Sequence, residues 1–223
     1  MKILLIDTCG ATGSVALADG TAITNASLPG RTASERLVAT IRELTGSSLQ
    51  SLNAIAVVHG PGSFTGVRVS LSAAKGLCHA LQIPLIAISR LAVLAHLAQP
   101  SGGTPVHALL DAGRGEFYHG SYLDGRCLAE SLVTRDQLMA ILSAEATTMV
   151  VVCERSLAES LAAFAPRLLD EPTASDALPL ALRRLQLNQL DDPATLDANY
   201  LRRTDAEIFA KPVARAAPPA AAP

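Results

Sequence analysis

Two stretches of the chain share one pattern: Leu4-Leu5-Ile6-Asp7-Thr8-Cys9-Gly10 in the first half and Leu109-Leu110-Asp111-Ala112-Gly113-Arg114-Gly115 in the second. In each stretch an apolar run ends at an aspartate, and a glycine-containing segment follows. An apolar run without polar alternation predicts a strand that is buried on both faces. The repeat therefore predicts that the chain consists of two related α/β halves.

The first half is predicted to begin with three strands at residues 3–6, 14–18 and 21–28, with Asp19-Gly20 as the hairpin turn. A helix follows, in which Thr32 and Glu35 form a capping-box pattern and Gly46 marks the end. The remainder alternates between strand and helix. It comprises strands at 54–58 and 83–88, a helix that ends near residue 81, and a helix that begins after Ser89 and ends near residue 98.

The second half repeats this order after a linker at residues 99–104. Three strands are predicted at 106–110, 116–123 and 127–133, with Asp124-Gly125 as the hairpin turn. The later elements are a helix opened by Thr134 and Gln137, a strand at 149–153, a helix opened by Ser156 and Glu159, and a longer helix at 175–188. Residues 212–223 are mostly Ala and Pro and are predicted to be disordered.

These elements predict a duplicated α/β fold with a shortened second copy: residues 1–98 as one domain, 105–211 as a smaller one, and 212–223 as a tail. The duplication resembles the plan of the actin, sugar-kinase and Hsp70 superfamily, whose halves are RNase H-like. In that superfamily an aspartate at the end of the first strand of each half faces a Mg-ATP cleft, which makes Asp7 and Asp111 candidates. Alternatively, both carboxylates only cap their strand ends. The second half lacks an obvious Gly-Gly turn for adenosine, which favours this alternative.

The overall charge argues against a chain that holds nucleic acid by itself. The net charge is −2, and the only paired basic residues are Arg183-Arg184 and Arg202-Arg203. Proteins that bind nucleic acid alone carry a basic patch or stripe. Any RNA is therefore expected to be held mainly by another subunit.

The cysteine pattern and the hydropathy indicate a cytoplasmic protein. No pair of cysteines has C-x-x-C spacing, and no histidine lies at metal-ligand spacing from one of them. Scattered cysteines of this kind are typical of free thiols in a reducing compartment. No apolar run approaches the roughly 18 residues of a membrane span, so no membrane association is expected. The four cysteines are Cys9, Cys78, Cys127 and Cys153.

The most distinctive stretch is Gly60-Pro61-Gly62-Ser63-Phe64-Thr65-Gly66-Val67-Arg68. A glycine-rich turn from a strand into a helix presents backbone N–H groups at the positive end of the helix dipole, which suits an anion. It is not a P-loop, because no Gly-Lys-Ser/Thr follows at the required spacing. The other interpretation is a tight turn in which glycine permits close backbone approach. The candidate anion or nucleotide residues are Asp7, Gly60, Gly62, Ser63, Thr65, Gly66, Arg68, Asp111 and Arg114.

The run from Ala54 to Lys75, AIAVVHGPGSFTGVRVSLSAAK, resembles the signature of the TsaB family, also called YeaZ. Other matching pieces extend over nearly the whole chain except the tail. One departure is Ala33, where many members of the family carry His. The matching pieces are Ile6-Asp7-Thr8, Ser34-Glu35-Arg36-Leu37, Ile83-Pro84-Leu85, Asp111-Ala112-Gly113-Arg114-Gly115-Glu116 and Tyr200-Leu201-Arg202.

The resemblance implies a non-catalytic subunit in the threonylcarbamoylation of N6 of adenosine 37 in tRNAs that read codons beginning with A. Its partners would be TsaD, as a heterodimer, and TsaE, and tRNA would be bound only through the complex. The chain would bind no cofactor alone, with ATP and Mg²⁺ at the level of the complex, and it could form a homodimer when alone. The alternative function is an active kinase or ATPase of the same superfamily.

The resemblance also implies that this chain has no metal site and no catalytic residues. TsaD holds a metal through two His four residues apart, on the helix that corresponds to the one after Ser89. The matching positions here are Arg90 and Leu94. Leu cannot ligate a metal, and the Arg guanidinium stays protonated and only donates hydrogen bonds. His96 stands alone on an apolar helix and is interpreted as a packed histidine.

Two helices of the first half are predicted to form the partner surface, and the resemblance indicates the same region. The second of them carries small residues at helical spacing, which permit close helix packing. Part of each helix must instead pack on the chain's own sheet. The predicted interface residues are Leu37, Ile41 and Leu44 on the first helix and Ser70, Ala73, Ala74 and Leu77 on the second.

Overall fold

The computed structural model describes residues 1–29, 32–46, 49–100, 102–144 and 148–201. The tail predicted at 212–223 lies outside these ranges. The strands are β1 Lys2–Asp7, β2 Gly13–Asp19, β3 Ala22–Leu28, β4 Ala54–Val58, β5 Leu85–Ile88, β6 Val106–Gly113, β7 Glu116–Leu123, β8 Arg126–Thr134, β9 Met149–Val152 and β10 Arg167–Leu168. The α-helices are α1 Ala33–Thr45, α2 Phe64–Leu81, α3 Arg90–Leu97, α4 Arg135–Ala144, α5 Arg155–Ser160 and α6 Leu178–Gln186.

The first sheet has the strand order β3-β2-β1-β4-β5. β1 pairs antiparallel with β2 and parallel with β4, and β4 pairs parallel with β5. Strands β1 and β4 are almost entirely buried because both faces of the sheet are covered. Helices α1 and α2 pack on one face. The other face packs against the 3₁₀ turn Ala174–Ala177 and α6.

The second sheet repeats this topology, because its order β8-β7-β6-β9-β10 places equivalent strands in equivalent positions. Its last strand has only two residues, and its helices α4 and α5 have 10 and 6 residues, compared with 13 and 18 in α1 and α2. The duplicated actin/Hsp70-like, RNase H-like fold with a shortened second copy is therefore confirmed. The predicted turns at Asp19-Gly20 and Asp124-Gly125 are also confirmed.

Three predicted helix N-termini differ from the structure, the first in its capping contact and the other two in position. Thr32 precedes α1 but makes no side-chain cap, because its hydroxyl donates to the Pro29 carbonyl at 3.1 Å. Helix α2 begins at Phe64, inside the predicted loop, since the Ser63 hydroxyl accepts the Gly66 N–H. Helix α5 begins at Arg155, two residues before the start that Ser156 as N-cap predicts, and it follows Glu154. In contrast, the capping box at α4 is confirmed, with Thr134 N donating to Gln137 Oε1 at 2.9 Å and Gln137 N donating to the Thr134 hydroxyl at 3.4 Å.

The C-terminal part of the described chain returns to the first half. Ala174, Ala177 and Ala181 lie in the same apolar cluster as β1 and β4. Further on, the Asp191 N–H donates to the Leu85 carbonyl at 2.9 Å, and the Asn199 N–H donates to the His59 carbonyl at 2.8 Å. The division into domains at 1–98 and 105–211 stays a prediction, but the second of those ranges contributes to the core of the first half.

Within the described ranges, no helix has both the length and the apolar composition needed to cross a membrane.

Candidate functional site: the cleft between the two sheets

A cleft of about 700 Å³ opens where β1 and β6 end. It lies between the two halves because both first strands point their carboxyl ends toward it. The β1–β2 turn, the glycine-rich loop and the start of α3 form one wall, and the β6–β7 turn and the end of β9 form the other. The lining residues are Cys9, Gly10, Ala11, Gly62, Ser63, Arg90, Leu110, Asp111, Ala112, Gly113, Tyr118, Cys153, Glu154 and Glu171.

Asp7 lies beneath the cleft and is only 3% exposed. Burial raises the pKa of its carboxyl, although the nearby Arg90 guanidinium and the hydrogen bond from Cys9 lower it. That hydrogen bond runs from the Cys9 N–H to Asp7 Oδ1 at 2.8 Å. The strand-capping contact predicted as one interpretation of Asp7 is therefore present.

Arg90 and Glu171 form an ion pair on the floor of the cleft. Arg90 Nη2 lies 2.9 Å from Glu171 Oε1, and the side chains are 6% and 35% exposed. The same carboxylate oxygen accepts the Ala11 N–H of the β1–β2 turn at 2.8 Å. One glutamate oxygen thus connects the β1–β2 turn to the first residue of α3.

The opposite wall of the cleft carries two carboxylates, those of Asp111 and Glu154. Asp111 is exposed, and its Oδ1 accepts the Gly113 N–H at 2.7 Å. Its own N–H donates to Glu154 Oε2 at 3.0 Å. Burial raises the pKa of Glu154, and the neighbouring charges of Asp111 and Glu171 add to this, while the bond from Asp111 N and the Arg90 charge lower it. Asp111 therefore also makes strand-end contacts, as the alternative interpretation predicts.

The glycine-rich loop packs directly against the β1–β2 turn. A side chain at Gly66 would meet the Thr8 carbonyl oxygen at 1.8 Å, and one at Gly62 would meet the Cys9 carbonyl oxygen at 2.4 Å. The Ser63 N–H donates to that Cys9 carbonyl at 2.8 Å. Several loop N–H groups thus serve contacts within the chain, which favours the interpretation of these glycines as close-approach residues.

The structure brings together only part of the predicted anion site. Gly62, Ser63 and Asp111 line the cleft, and Asp7 lies below it. The other predicted residues do not line it. Thr65 and Gly66 instead border a smaller cavity of about 200 Å³ at the start of α1 and α2. The remaining predicted residues outside the cleft lining are Gly60, Arg68 and Arg114.

Arg68 takes part in an exposed aromatic cluster at the start of α2. Its guanidinium lies 3.7 Å from the centre of the Phe64 ring, and its Nε donates to the Tyr200 hydroxyl at 2.7 Å. Phe64 and Tyr200 are 54% and 39% exposed. Arg114 is exposed at the tip of the β6–β7 turn with a φ of 59°.

Sequence reasoning missed the acidic half of the cleft. Glu154 follows the buried strand β9 closely, so the rule that found Asp7 and Asp111 could have found it. Glu171 had no such signal, because it reaches Arg90 across 81 residues of sequence. The sequence identifies Arg90 only as a residue in place of a metal ligand, whereas in the structure it lies on the cleft floor.

The partner-surface prediction selected several residues that point inward. Leu37, Ile41, Ser70 and Ala74 are at most 2% exposed, because they pack in the core beneath α1 and α2. Their assignment to an outer face is wrong. Leu44, Ala73 and Leu77 are partly exposed and remain candidates, and Val38 is 61% exposed.

The two positions that the resemblance matches to metal-binding His are Arg90 and Leu94, and neither side chain is of a type that ligates a metal. Leu94 is fully buried in the core between α3 and the second sheet. Arg90 pairs with Glu171. Within the described part of the chain, no three His, Cys, Asp or Glu side chains are grouped as metal ligands; that this chain binds no metal stays a prediction. His96, predicted to be packed, is exposed at the rim of another cavity.

Comparisons with known proteins identify the family. Residues 27–142, just over half of the chain, match the sequence model of the family described as "TsaD: tRNA N6-adenosine threonylcarbamoyltransferase". The chain is 39% identical to the tRNA threonylcarbamoyladenosine biosynthesis protein TsaB of Escherichia coli over 127 residues, which cover 55% of each chain. It is also 31% identical to an uncharacterised protein of Mycobacterium tuberculosis over 163 residues, covering 73% of this chain and 70% of the other.

Two solved structures from Pseudomonas aeruginosa are similar over almost their full length. One is titled as an uncharacterised protein with similarity to peptidase YEAZ, and the other as YeaZ. Their TM-scores are 0.75 and 0.73, each at 28% identity, and each match covers 90% of this chain and 99% of the other. The matched region, in contrast, spans about half the length of the E. coli relative.

The two equivalent sheets, with a cleft between the ends of their first strands, define a duplicated α/β protein of the actin-like, RNase H-like class. Within that class, the chain belongs to the TsaB (YeaZ) family.

Proposed function

We propose that this chain is a non-catalytic subunit in the biosynthesis of threonylcarbamoyladenosine in tRNA, where it binds and organises TsaD together with TsaE. The observation that carries the proposal is the pair Arg90 and Leu94 at the start of α3. The TsaB resemblance implies that the two metal-binding His of TsaD correspond roughly to these positions. Here one is a buried apolar side chain and the other a cation held by Glu171.

The names of the relatives support the pathway. The E. coli and Bacillus subtilis relatives, each 39% identical, carry the name tRNA threonylcarbamoyladenosine biosynthesis protein TsaB. The match to the B. subtilis relative covers 40% of this chain and 39% of that protein. The target, N6 of adenosine 37, and the role beside TsaD and TsaE are taken from the family resemblance as proposals.

The outer surface of α1 and α2 is the proposed TsaD contact. Val38 of α1 is 61% exposed, and Leu44, Ala73 and Leu77 are partly exposed beside the buried positions. Small and apolar side chains on two adjacent helices permit close packing against a second helix pair. The same surface is the proposed contact for a homodimer when the chain is alone.

The remaining parts of the proposal concern what the chain does not bind alone. With a net charge of −2, it is proposed to contact tRNA only within the complex. ATP and Mg²⁺ are proposed to act at the level of the complex, and the protein is proposed to be cytoplasmic. An active kinase or ATPase is the competing function, and high-affinity ATP binding by the isolated chain would support it.

Co-purification with a TsaD homologue tests the proposal. Ala73→Glu places a charge on the partly exposed face of α2, and it is expected to abolish co-purification because an unpaired charge buried at an interface costs about 3–5 kcal/mol. Ala140→Glu is the matched control, since Ala140 is exposed on α4 in the other half. It is expected to co-purify at the wild-type yield. If both folded variants bind TsaD at wild-type yield, this interface is wrong.

A further inference from the structure

The Glu171 carboxylate occupies the position in the cleft where an anionic ligand would find its donors. Its Oε1 accepts one hydrogen bond from the Ala11 N–H at 2.8 Å and another from Arg90 Nη2 at 2.9 Å. A backbone N–H next to a guanidinium is a common arrangement for binding oxyanions, because both donate and the guanidinium adds charge. Here both donors face a side chain of the same molecule.

Arg90 has donor capacity that this ion pair leaves unused. A guanidinium carries five N–H donors. Arg90 is only 5% exposed, and its Nε is buried without a hydrogen-bond partner in the described ranges. A buried donor without a partner is costly, so the Glu171 carboxylate satisfies only part of the hydrogen-bonding capacity of Arg90.

The backbone at Gly10 packs closely against the ion pair of Arg90 and Glu171. A side chain at Gly10 would meet Glu171 Oε1 at 2.1 Å and Arg90 Nη2 at 2.6 Å. Glu171 itself belongs to the segment that returns from the second sheet, and the Ala174 N–H anchors this segment on the Ser14 hydroxyl at 2.8 Å. The carboxylate is thus delivered from one half of the molecule to donors in the other half.

We propose that Arg90 and the Ala11 N–H form an oxyanion site on the cleft floor that Glu171 fills from within the chain. A phosphate group can bind these donors only when the Glu171 carboxylate is removed. Glu171 thereby closes the cleft to phosphorylated ligands while it holds the two halves together. The proposal goes beyond the accessory role and does not depend on it.

Inorganic phosphate is the probe, with the isolated full chain, Mg²⁺ present throughout and thermal unfolding as the readout. Magnesium is included because the carboxylates of Asp7, beneath the cleft, and of Asp111 and Glu154, on its opposite wall, repel an anion, and a cation offsets this repulsion. Glu171→Ala is expected to have a lower Tm than the wild type and to regain about 2–4 °C or more as phosphate is added, since a ligand of the folded state raises Tm by mass action. The wild type is expected to show no phosphate-dependent rise.

Two further variants test whether the phosphate-dependent rise in Tm requires a free Arg90. Glu154→Gln removes a negative charge from the same cleft without freeing Arg90, and it is expected to behave like the wild type. Adding Arg90→Met to Glu171→Ala is expected to abolish the phosphate response. If Glu171→Ala does not fold, Glu171→Ser, whose short side chain also leaves both donors free, takes its place.

ATP, tested by calorimetry, distinguishes the source of the phosphate. Binding of both ATP and phosphate by the Glu171 variant supports a cleft that admits a nucleotide, and binding of phosphate alone supports a site for a single phosphate group. A folded Glu171 variant that binds neither overturns the proposal, as does equal phosphate binding by the wild type. No tRNA or TsaD is present, so either result leaves the accessory role untouched.

Discussion

At the scale of single residues, burial is the largest cause of the pKa shifts of Asp7 and Glu154 at the cleft and of the cysteines. Asp7 lies under the β1–β2 turn, and loss of hydration there raises its pKa more than Arg90 and the Cys9 N–H lower it. Burial likewise raises the pKa of Glu154 and of all four cysteines. The charged forms of these groups are therefore disfavoured in the folded protein relative to the unfolded chain.

Replacing Asp7 by Asn is expected to increase stability at neutral pH. The folded-state pKa of Asp7 lies above its unfolded value, so the folded protein holds this proton to higher pH than the unfolded chain. The Asp7 contribution to stability therefore falls as pH rises from the unfolded pKa through the folded pKa. Asn keeps an oxygen acceptor for the Cys9 N–H and does not titrate.

Urea unfolding between pH 3 and pH 8 measures this effect. Asp7→Asn is expected to show a smaller loss of stability than the wild type as pH rises across that window, and little difference at its acidic end. A neutral-pH stability below that of the wild type would show that attraction between Asp7 and Arg90 outweighs the cost of burial.

The cysteines are expected to react with a thiol reagent in the order of their exposure. Cys127 is exposed, although neighbouring atoms and Glu130 raise its pKa somewhat. Burial raises the pKa to about 11 for Cys153 and about 12 for Cys78, and well above its ordinary value for Cys9. Because the thiolate is the reacting form, one fast phase is expected at pH 8, and Cys127→Ser should remove it. Rapid labelling of Cys9 or Cys78 in the folded protein would contradict this order.

At the scale of elements, helix α2 shows how one helix serves two surfaces. Ser70, Ala74 and Cys78 face the core, whereas Ala73 and Leu77 lie at its edge. Adjacent positions on a helix differ by about 100° in direction, so neighbouring alanines can differ completely in exposure.

Ala74→Glu is expected to destabilise the isolated chain by at least about 3 kcal/mol, because a carboxyl group would be placed in a closed apolar core. Ala73→Glu is expected to cost about 1 kcal/mol or less, as substitutions at the surface usually do. Urea denaturation of both variants provides the comparison. Equal stabilities would mean that the position of α2 on the sheet is wrong.

The segment after α6 holds the edge of the first sheet through Asp191. Its Oδ2 accepts the Ala87 N–H at 2.7 Å and lies 3.1 Å from Arg184 Nη1. Asp191→Ala is expected to cost about 1–3 kcal/mol, because two partly buried donors lose their acceptor. The neighbouring Asp192 is exposed, and its side chain accepts hydrogen bonds from Ala194 and Thr195 of its own turn. Asp192→Ala is therefore the control in the same unfolding assay, with a smaller expected loss.

Strands and their turns could be predicted because their signals are local. Buried runs such as 54–58 and the turn at Asp19-Gly20 depend on adjacent residues alone. Thr32 resembles a cap but bonds Pro29, Ala74 resembles a surface alanine but lies against the sheet, and Glu171 reaches Arg90 through the return of the chain. The failure at Thr32 is local, since its partner Pro29 lies three residues earlier, whereas the other two depend on contacts distant in sequence. Periodicity shows that a helix has a buried stripe, but it does not show which of two adjacent small residues belongs to it.

At the scale of the whole molecule, the duplication creates a cleft that the chain itself partly fills. The Arg90–Glu171 ion pair forms the floor of this cleft, and turns from both sheets form its walls. The returning C-terminal segment connects the second half to the first. The outer helices α1 and α2 lie on the face of the first sheet opposite Ala174, Ala177 and Ala181 of this segment. The end of the segment reaches α2, where Lys75 Nζ donates to the Leu196 carbonyl at 2.8 Å and Arg68 Nε donates to the Tyr200 hydroxyl at 2.7 Å.

The most direct test of the accessory role is a threonylcarbamoyl-transfer assay with supplied threonylcarbamoyl-adenylate and tRNA. The isolated chain is expected to give no modified tRNA, because α3 carries Arg90 and Leu94 in place of metal ligands. Addition of the chain to TsaD and TsaE homologues is expected to increase modification above the level those proteins reach without it. Modified tRNA formed by this chain alone would contradict the account.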